Sequence, residues 1–253
     1  MRTKRAVILA LLRGRRPDLA NALAHKAVGF RVAPGSKLDV RTLPLREARE
    51  YAARVFSQAG QDLDERLPDF DRNYQSLQKI LKQARSIKRS DMPVIRQNDI
   101  DDFEKALRAG RVDIFEPYAK GHLYTPRGLT PDRGGREWVR LGFQDGDLKD
   151  DVLGARLTRV SAKKLLPTQN QIWLEKLIHS IAFFGKPSEG SLKRATIIAS
   201  QEGYILDGHH RYGQVWLAEP SWKLDTLVVP LPIDLLVRVA RTYGNAIGNE
   251  QRQ

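Results

Sequence analysis

His209, His210 and Arg211 stand in a row, preceded by Asp207 and Gly208. The set supplies a carboxylate, two imidazoles that titrate near neutrality, and a forked cation able to hold two oxygens at once. Those types suit chemistry on phosphate. Cleaving a phosphodiester needs charge stabilised on the phosphoryl oxygens and a base to activate water. Arg211 is the candidate clamp, and His209 or His210 the candidate acid or base. Asp207 could orient a histidine or hold a divalent metal. A single aspartate is a poor Mg²⁺ site, so a metal there needs a second carboxylate or oxygens of the substrate. Glu175 is the candidate second carboxylate, and it reads also as an exposed helical glutamate.

The local pattern says how these groups are held. Tyr204-Ile205-Leu206 is a short apolar run, and Tyr212 to Ala218 continues as a helix. The turn between them opens that helix, and free N–H groups at a helix start attract anions. Gly208, with the backbone around it, is therefore a candidate phosphate cradle beside Arg211. A strand-turn-helix with polar residues at the turn is also common as plain structure. Upstream, Leu166-Pro167-Thr168-Gln169 precedes apolar residues at helical spacing from 170 to 184: Ile172, Leu174, Leu177, Ile178 and Ile181. Thr168 is placed to cap that helix, and Gly185 and Pro187 to stop it. Strands are expected at 156–160, 195–199, 204–206 and 226–229, and a closing helix at 233–243. The expected product is an α+β domain with one mixed sheet and the Asp207 turn at its edge.

The Asp-Gly-His-His-Arg run at the start of a helix resembles the ParB/sulfiredoxin fold, and especially its ParB-like nuclease branch. In that branch a Pro-Thr-Gln triplet opens the preceding helix, as Pro167-Thr168-Gln169 would here. The resemblance spans residues 156–240. It implies phosphate contacts from Thr168 and Gln169, and catalysis at Asp207, His209, His210 and Arg211. It also implies Mg²⁺ or another divalent cation, or a nucleotide, as cofactor. Partitioning proteins of this fold bind and hydrolyse CTP, through an arginine-rich motif where this chain has paired histidines. An archaeal ADP-dependent serine kinase shares the fold and uses a glutamate where this chain has Gln169 and Gln171. Sulfiredoxin chemistry is excluded, because the chain has no cysteine. The rest of the chain resembles bacteriophage proteins, which implies host cytoplasm or virion as location. A non-catalytic DNA-binding virion protein is the third reading, beside nuclease and nucleotide-dependent enzyme.

The chain has 253 residues and a formal net charge of +13. Residues 1–60 carry 13 Lys/Arg against 4 Asp/Glu, and residues 61–150 carry 17 of each. So concentrated a basic segment suggests a polyanionic partner, with DNA first. Arg13, Arg15 and Arg16 in that segment, and Lys163 and Lys164 farther on, are the candidate nucleic-acid contacts. Disulfides and thiolate metal sites are excluded, and the lack of cysteine fits a reducing, cytoplasmic setting.

The apolar run Ala6 to Leu12 between basic residues has no small-residue cleavage site after it, and no run is long enough to span a membrane. It reads as a basic amphipathic helix, packed on the body or lying on a partner or membrane surface. Helices are expected over 45–59, 69–88 and from Asn98 or Asp99 to Gly110. Asp99, Asp101, Asp102 and Glu104 at the start of the last complement the helix dipole or ligate a metal. Residues 117–136 are rich in Pro and Gly, with basic and aromatic residues interleaved, as in a linker or a strand-binding loop. The expected organisation is a helical basic region over 1–116, a bridge over 117–150, and a ParB/sulfiredoxin-like domain over 151–253. The residue pattern leaves the oligomeric state open.

Overall fold

The computed structural model describes residues 38–88, 91–114, 139, 149, 151–192 and 195–249. The basic segment with Arg13, Arg15 and Arg16 and the bridge over 117–150 lie outside them, apart from the single positions 139 and 149. The chain is α+β. Helices α1 (Leu45–Gln58), α2 (Leu63–Arg66), α3 (Phe70–Lys82) and α4 (Ile100–Arg108) come first. Strand β1 (Arg156–Ser161), strand β2 (Leu166–Pro167), helix α5 (Leu174–Phe184), strand β3 (Ile197–Ser200) and strand β4 (Tyr204–Asp207) follow. Helix α6 (His209–Ala218), strand β5 (Lys223–Val229) and helix α7 (Ile233–Ala246) complete the order. Among the described residues no helix is long and apolar enough to cross a membrane.

The five strands form one mixed sheet in the order β1-β5-β3-β4-β2. β1 runs antiparallel to β5, β5 parallel to β3, β3 antiparallel to β4, and β4 parallel to β2. Alternation along each strand splits the apolar side chains between two faces. Ile197, Ala199, Ile205 and Leu224 meet α1, α3, α5 and α6 on one face. Ile198, Leu206, Leu227 and Val229 meet α4 and α7 on the other. The amphipathic stripe of α1 (Ala48, Tyr51, Ala52, Val55, Phe56) is buried in the first of these cores, where α1 packs on α3 and α5. Asn73 of α3 donates through Nδ2 to Leu217 O at 3.0 Å and so satisfies a carbonyl near the end of α6.

The helices before residue 116 share their cores with the sheet. One expectation changes here. Thr168 does not cap a helix: α5 begins at Leu174, with Trp173 in the cap position. Pro167 instead pairs with Ile205 as the last residue of β2, and the chain stays non-helical to Trp173.

Candidate functional site

β4 ends at Asp207 and α6 begins at His209, with Gly208 between them at φ +105°. Only glycine takes that backbone without strain. A Cβ at this position would also lie 2.8 Å from Ile197 Cγ1 and 3.1 Å from the Arg211 Nε and Nη2 atoms. The guanidinium is thus folded back over Gly208, and no side chain caps the helix start. A second glycine sets the depth of α6. A Cβ on Gly213 would press on both Leu177 methyls at 3.1 Å, so its absence lets α6 approach α5 and the segment leading into it.

Close approach brings the two motifs into hydrogen-bond contact. His209 is only 4 % exposed. Its Nε2 accepts from Thr168 N and from Gln169 N, each at 3.1 Å. Two converging N–H donors require Nε2 to be bare, which puts the ring proton on Nδ1. Thr168 Oγ1 spends its own proton on Ile205 O at 2.6 Å, and sits 3.0 Å from Nε2. Burial pushes the His209 pKa down to about 3, helped by the neighbouring His210 and Arg211 charges. His209 is therefore a neutral acceptor that fastens one backbone segment to another. Its Nε2 is occupied, and protonating it would sacrifice two buried hydrogen bonds. Thr168 and Gln169, expected to contact a phosphate, have their backbone donors on His209 instead.

His210 and Arg211 face elsewhere, as consecutive helical positions must. His210 is half-buried, and its Nε2 accepts from Trp173 N at 3.3 Å. Arg211 donates through Nη2 to the Asp207 carboxylate and through Nη1 to Gln97 Oε1 at 2.7 Å. Its side chain is 21 % exposed and that of Asp207 41 %, while the Arg211 Nε is buried without a partner. Gln97 was not foreseen. It lies in a short turn before α4, and its Oε1 also accepts from Thr196 N at 3.2 Å, ahead of β3. One amide oxygen thus holds the guanidinium and the approach to the central strands together.

The other candidates are placed apart. Glu175 lies at the second position of α5, and its carboxylate accepts from Leu38 N at 3.1 Å. That bond helps strap residues 38–43 onto the start of α5, with Val40 N donating to Ile172 O and Leu174 N to Leu38 O. The hydrogen bond of Glu175 is thus to the strap and not to the Asp207 turn. Lys163 and Lys164 are exposed in the turn between β1 and β2. Asp101 and Asp102 occupy the first turn of α4, where they suit its dipole. Among the described residues no three His, Asp or Glu side chains group as metal ligands. At the turn, Asp207 is shared with Arg211, so this donor set does not by itself make a divalent-cation site.

No protein-family model, no curated protein and no solved structure matches the chain.

Proposed function

We propose that this chain acts on phosphate esters of nucleic acid, as a ParB-like nuclease, at the turn from Asp207 to Arg211. Arg211 is the phosphate clamp, and His210 is the group that moves a proton. His209 is the fastener that places them. The observation that carries this reading is the pair of hydrogen bonds from Thr168 N and Gln169 N to His209 Nε2, which builds the two motifs into one structure. Arg211, with a carboxylate and an amide on its two terminal nitrogens, lies at an uncapped helix start, where an incoming phosphate would meet the charge and the helix dipole together. The phosphate would displace Asp207 from the guanidinium, and the released carboxylate could then orient His210 or attacking water.

The test is cleavage of supercoiled and single-stranded DNA by the full chain with Mg²⁺, with Mn²⁺ and with EDTA. Arg211→Ala and His210→Ala should each lower the rate, by roughly a hundred- to ten-thousand-fold for a positioned acid or base. A wild type that cuts neither substrate would overturn the nuclease reading. Protection of that protein from thermal unfolding by ADP, ATP or CTP would then assign the turn to a nucleotide. A binding-only role draws on one specific observation: both terminal nitrogens of Arg211 and the Nε2 atoms of both histidines already have partners within the chain.

A further inference from the structure

The far end of α6 opens onto a cleft of about 690 Å³, within the size range of ligand sites. The helix has ten residues. At 1.5 Å per residue the cleft lies roughly 15 Å from the Asp207 turn. Four cations from different elements line it: Arg72 of α3, Arg159 of β1, Lys163 of the following turn and Lys223 of β5. Trp222 forms part of its wall.

Two carboxylates, Asp69 and Glu219, also line the cleft. Asp69 pairs with Arg72 at 2.9 Å. Glu219 accepts from Ser188 N at 2.8 Å and from the Ser188 hydroxyl. Arg159 reaches Asp225 only at 3.5 Å, and its side chain is 59 % exposed. The ammonium groups of Lys163 and Lys223 have no ion pair among the described residues, and both side chains are exposed. Four cations set against Asp69, Glu219 and the nearby Asp225 leave a small positive excess on a concave surface, where it attracts anions.

The aromatic element narrows the class of anion. The Arg159 guanidinium carbon lies 5.5 Å from the centre of the Trp222 ring. Indole and guanidinium are both flat, and both stack on nucleobases. An acidic peptide would satisfy the lysines but leave that platform unused, and a duplex hides its base faces. We propose that this cleft binds a single strand of nucleic acid, with a base on the Trp222–Arg159 platform and phosphates on Lys163 and Lys223. The inference stands apart from any chemistry at Asp207.

The test is the anisotropy of a labelled oligothymidylate of about a dozen nucleotides, comparable with known strand site sizes, titrated with the full chain. Trp222→Ala should weaken binding roughly five- to a hundredfold, and Trp222→Phe should keep most of it. Lys163→Gln combined with Lys223→Gln should reduce the slope of log affinity against log salt by about 1.4, the share of two phosphate contacts on a single strand. Lys105→Gln, an exposed lysine of α4 outside the cleft, should change neither, which separates this site from general surface charge. Because Trp222 is partly packed in the core, the two surface lysines carry the test alone if Trp222→Ala does not fold. Unchanged affinity and slope in the lysine pair would overturn the proposal. So would equal competition by polyglutamate or by a base-free polyphosphate. Displacement by a mononucleotide as effective as the strand itself would replace the strand with a free nucleotide.

Discussion

His209 Nε2 lies 3.1 Å from Thr168 N, across a gap of 41 residues in sequence. The imidazole does there what a main-chain carbonyl would do, accepting from two successive backbone donors where β2 has ended and α5 has not begun. β2 pairs with β4 only through Leu166 and Pro167, so the peptides just beyond it need other partners. This explains a histidine buried without a charge partner. It also divides the tandem histidines by role, since the neighbouring His210 is only half-buried and accepts from Trp173 N.

His209→Ala should be among the costliest single changes in the chain. It strands two backbone N–H groups, one of them on buried Thr168, and opens a cavity in the packing around α6. Each buried donor left unmade costs about 1–3 kcal/mol. We expect a loss of roughly 3–5 kcal/mol by urea denaturation. His209→Gln, whose amide oxygen can still accept, should lose less than half of that. A loss below about 1 kcal/mol for the alanine variant would show that the fastening role is wrong.

The same residue sets an acid limit. Its pKa is about 3 in the folded chain against 6.5 for the ordinary value, so below pH 6.5 the unfolded state takes up a proton that the folded state refuses. The stability associated with neutral His209 is complete above about pH 6.5. It falls as pH drops, by up to about 1.4 kcal/mol per unit, until the folded histidine itself protonates near pH 3. Carboxylates held in ion pairs, such as Glu189 beside Arg66, lose stability in acid as well. The measurement is therefore the difference in unfolding free energy between wild type and His209→Gln at pH 7.5, 6, 5 and 4. That difference should shrink steadily below pH 6.5, and a constant difference would contradict the buried neutral ring.

Several of these features could be read from residue order and several could not. The strand, turn and helix from Tyr204 to Ala218 are local, because an apolar run meets Gly208 and then helical spacing, and the structure follows that reading. The inward stripe of α1 follows from its periodicity alone. The start of α5 was misplaced because Thr168 is a good cap in isolation, while its hydroxyl is drawn to Ile205 O in the next strand over. The helix expected to run to residue 88 stops at Lys82, since Ile87 N leaves to pair with Thr168 O and Ser86 takes a left-handed turn. Gln97 had no signal of its own. It reaches Arg211 across 114 residues, and an amide before an acidic helix start looks like any other.

Gly208→Ala tests the turn itself. The residue sits at φ +105°, and the added methyl would meet Ile197 Cγ1 at 2.8 Å and the folded-back guanidinium at 3.1 Å. Backbone strain of this kind costs of order 1–3 kcal/mol before the steric clash is counted. Thermal unfolding should move down by several degrees, given about 2–4 °C per kcal/mol in a chain of this size. An unchanged melting temperature would mean that the left-handed turn is not needed.

Asp207→Asn separates the carboxylate's grip on Arg211 from any part it has in chemistry. The pair is half in solvent, with side chains 21 % and 41 % exposed, so the attraction lost is at most about 1 kcal/mol and the fold should survive. Asparagine can still accept a hydrogen bond from Nη2, and Gln97 still holds Nη1. An incoming phosphate, however, would no longer compete with a negative charge. Affinity for inorganic phosphate or pyrophosphate, read as a shift in thermal unfolding, should therefore rise by up to about fivefold. Cleavage of DNA should fall at the same time if the released carboxylate orients His210 or water. Tighter phosphate binding with unchanged cleavage would restrict Asp207 to holding Arg211. Weaker binding would mean that phosphate does not enter through Arg211 at all, and the clamp assigned to that residue would have to be withdrawn.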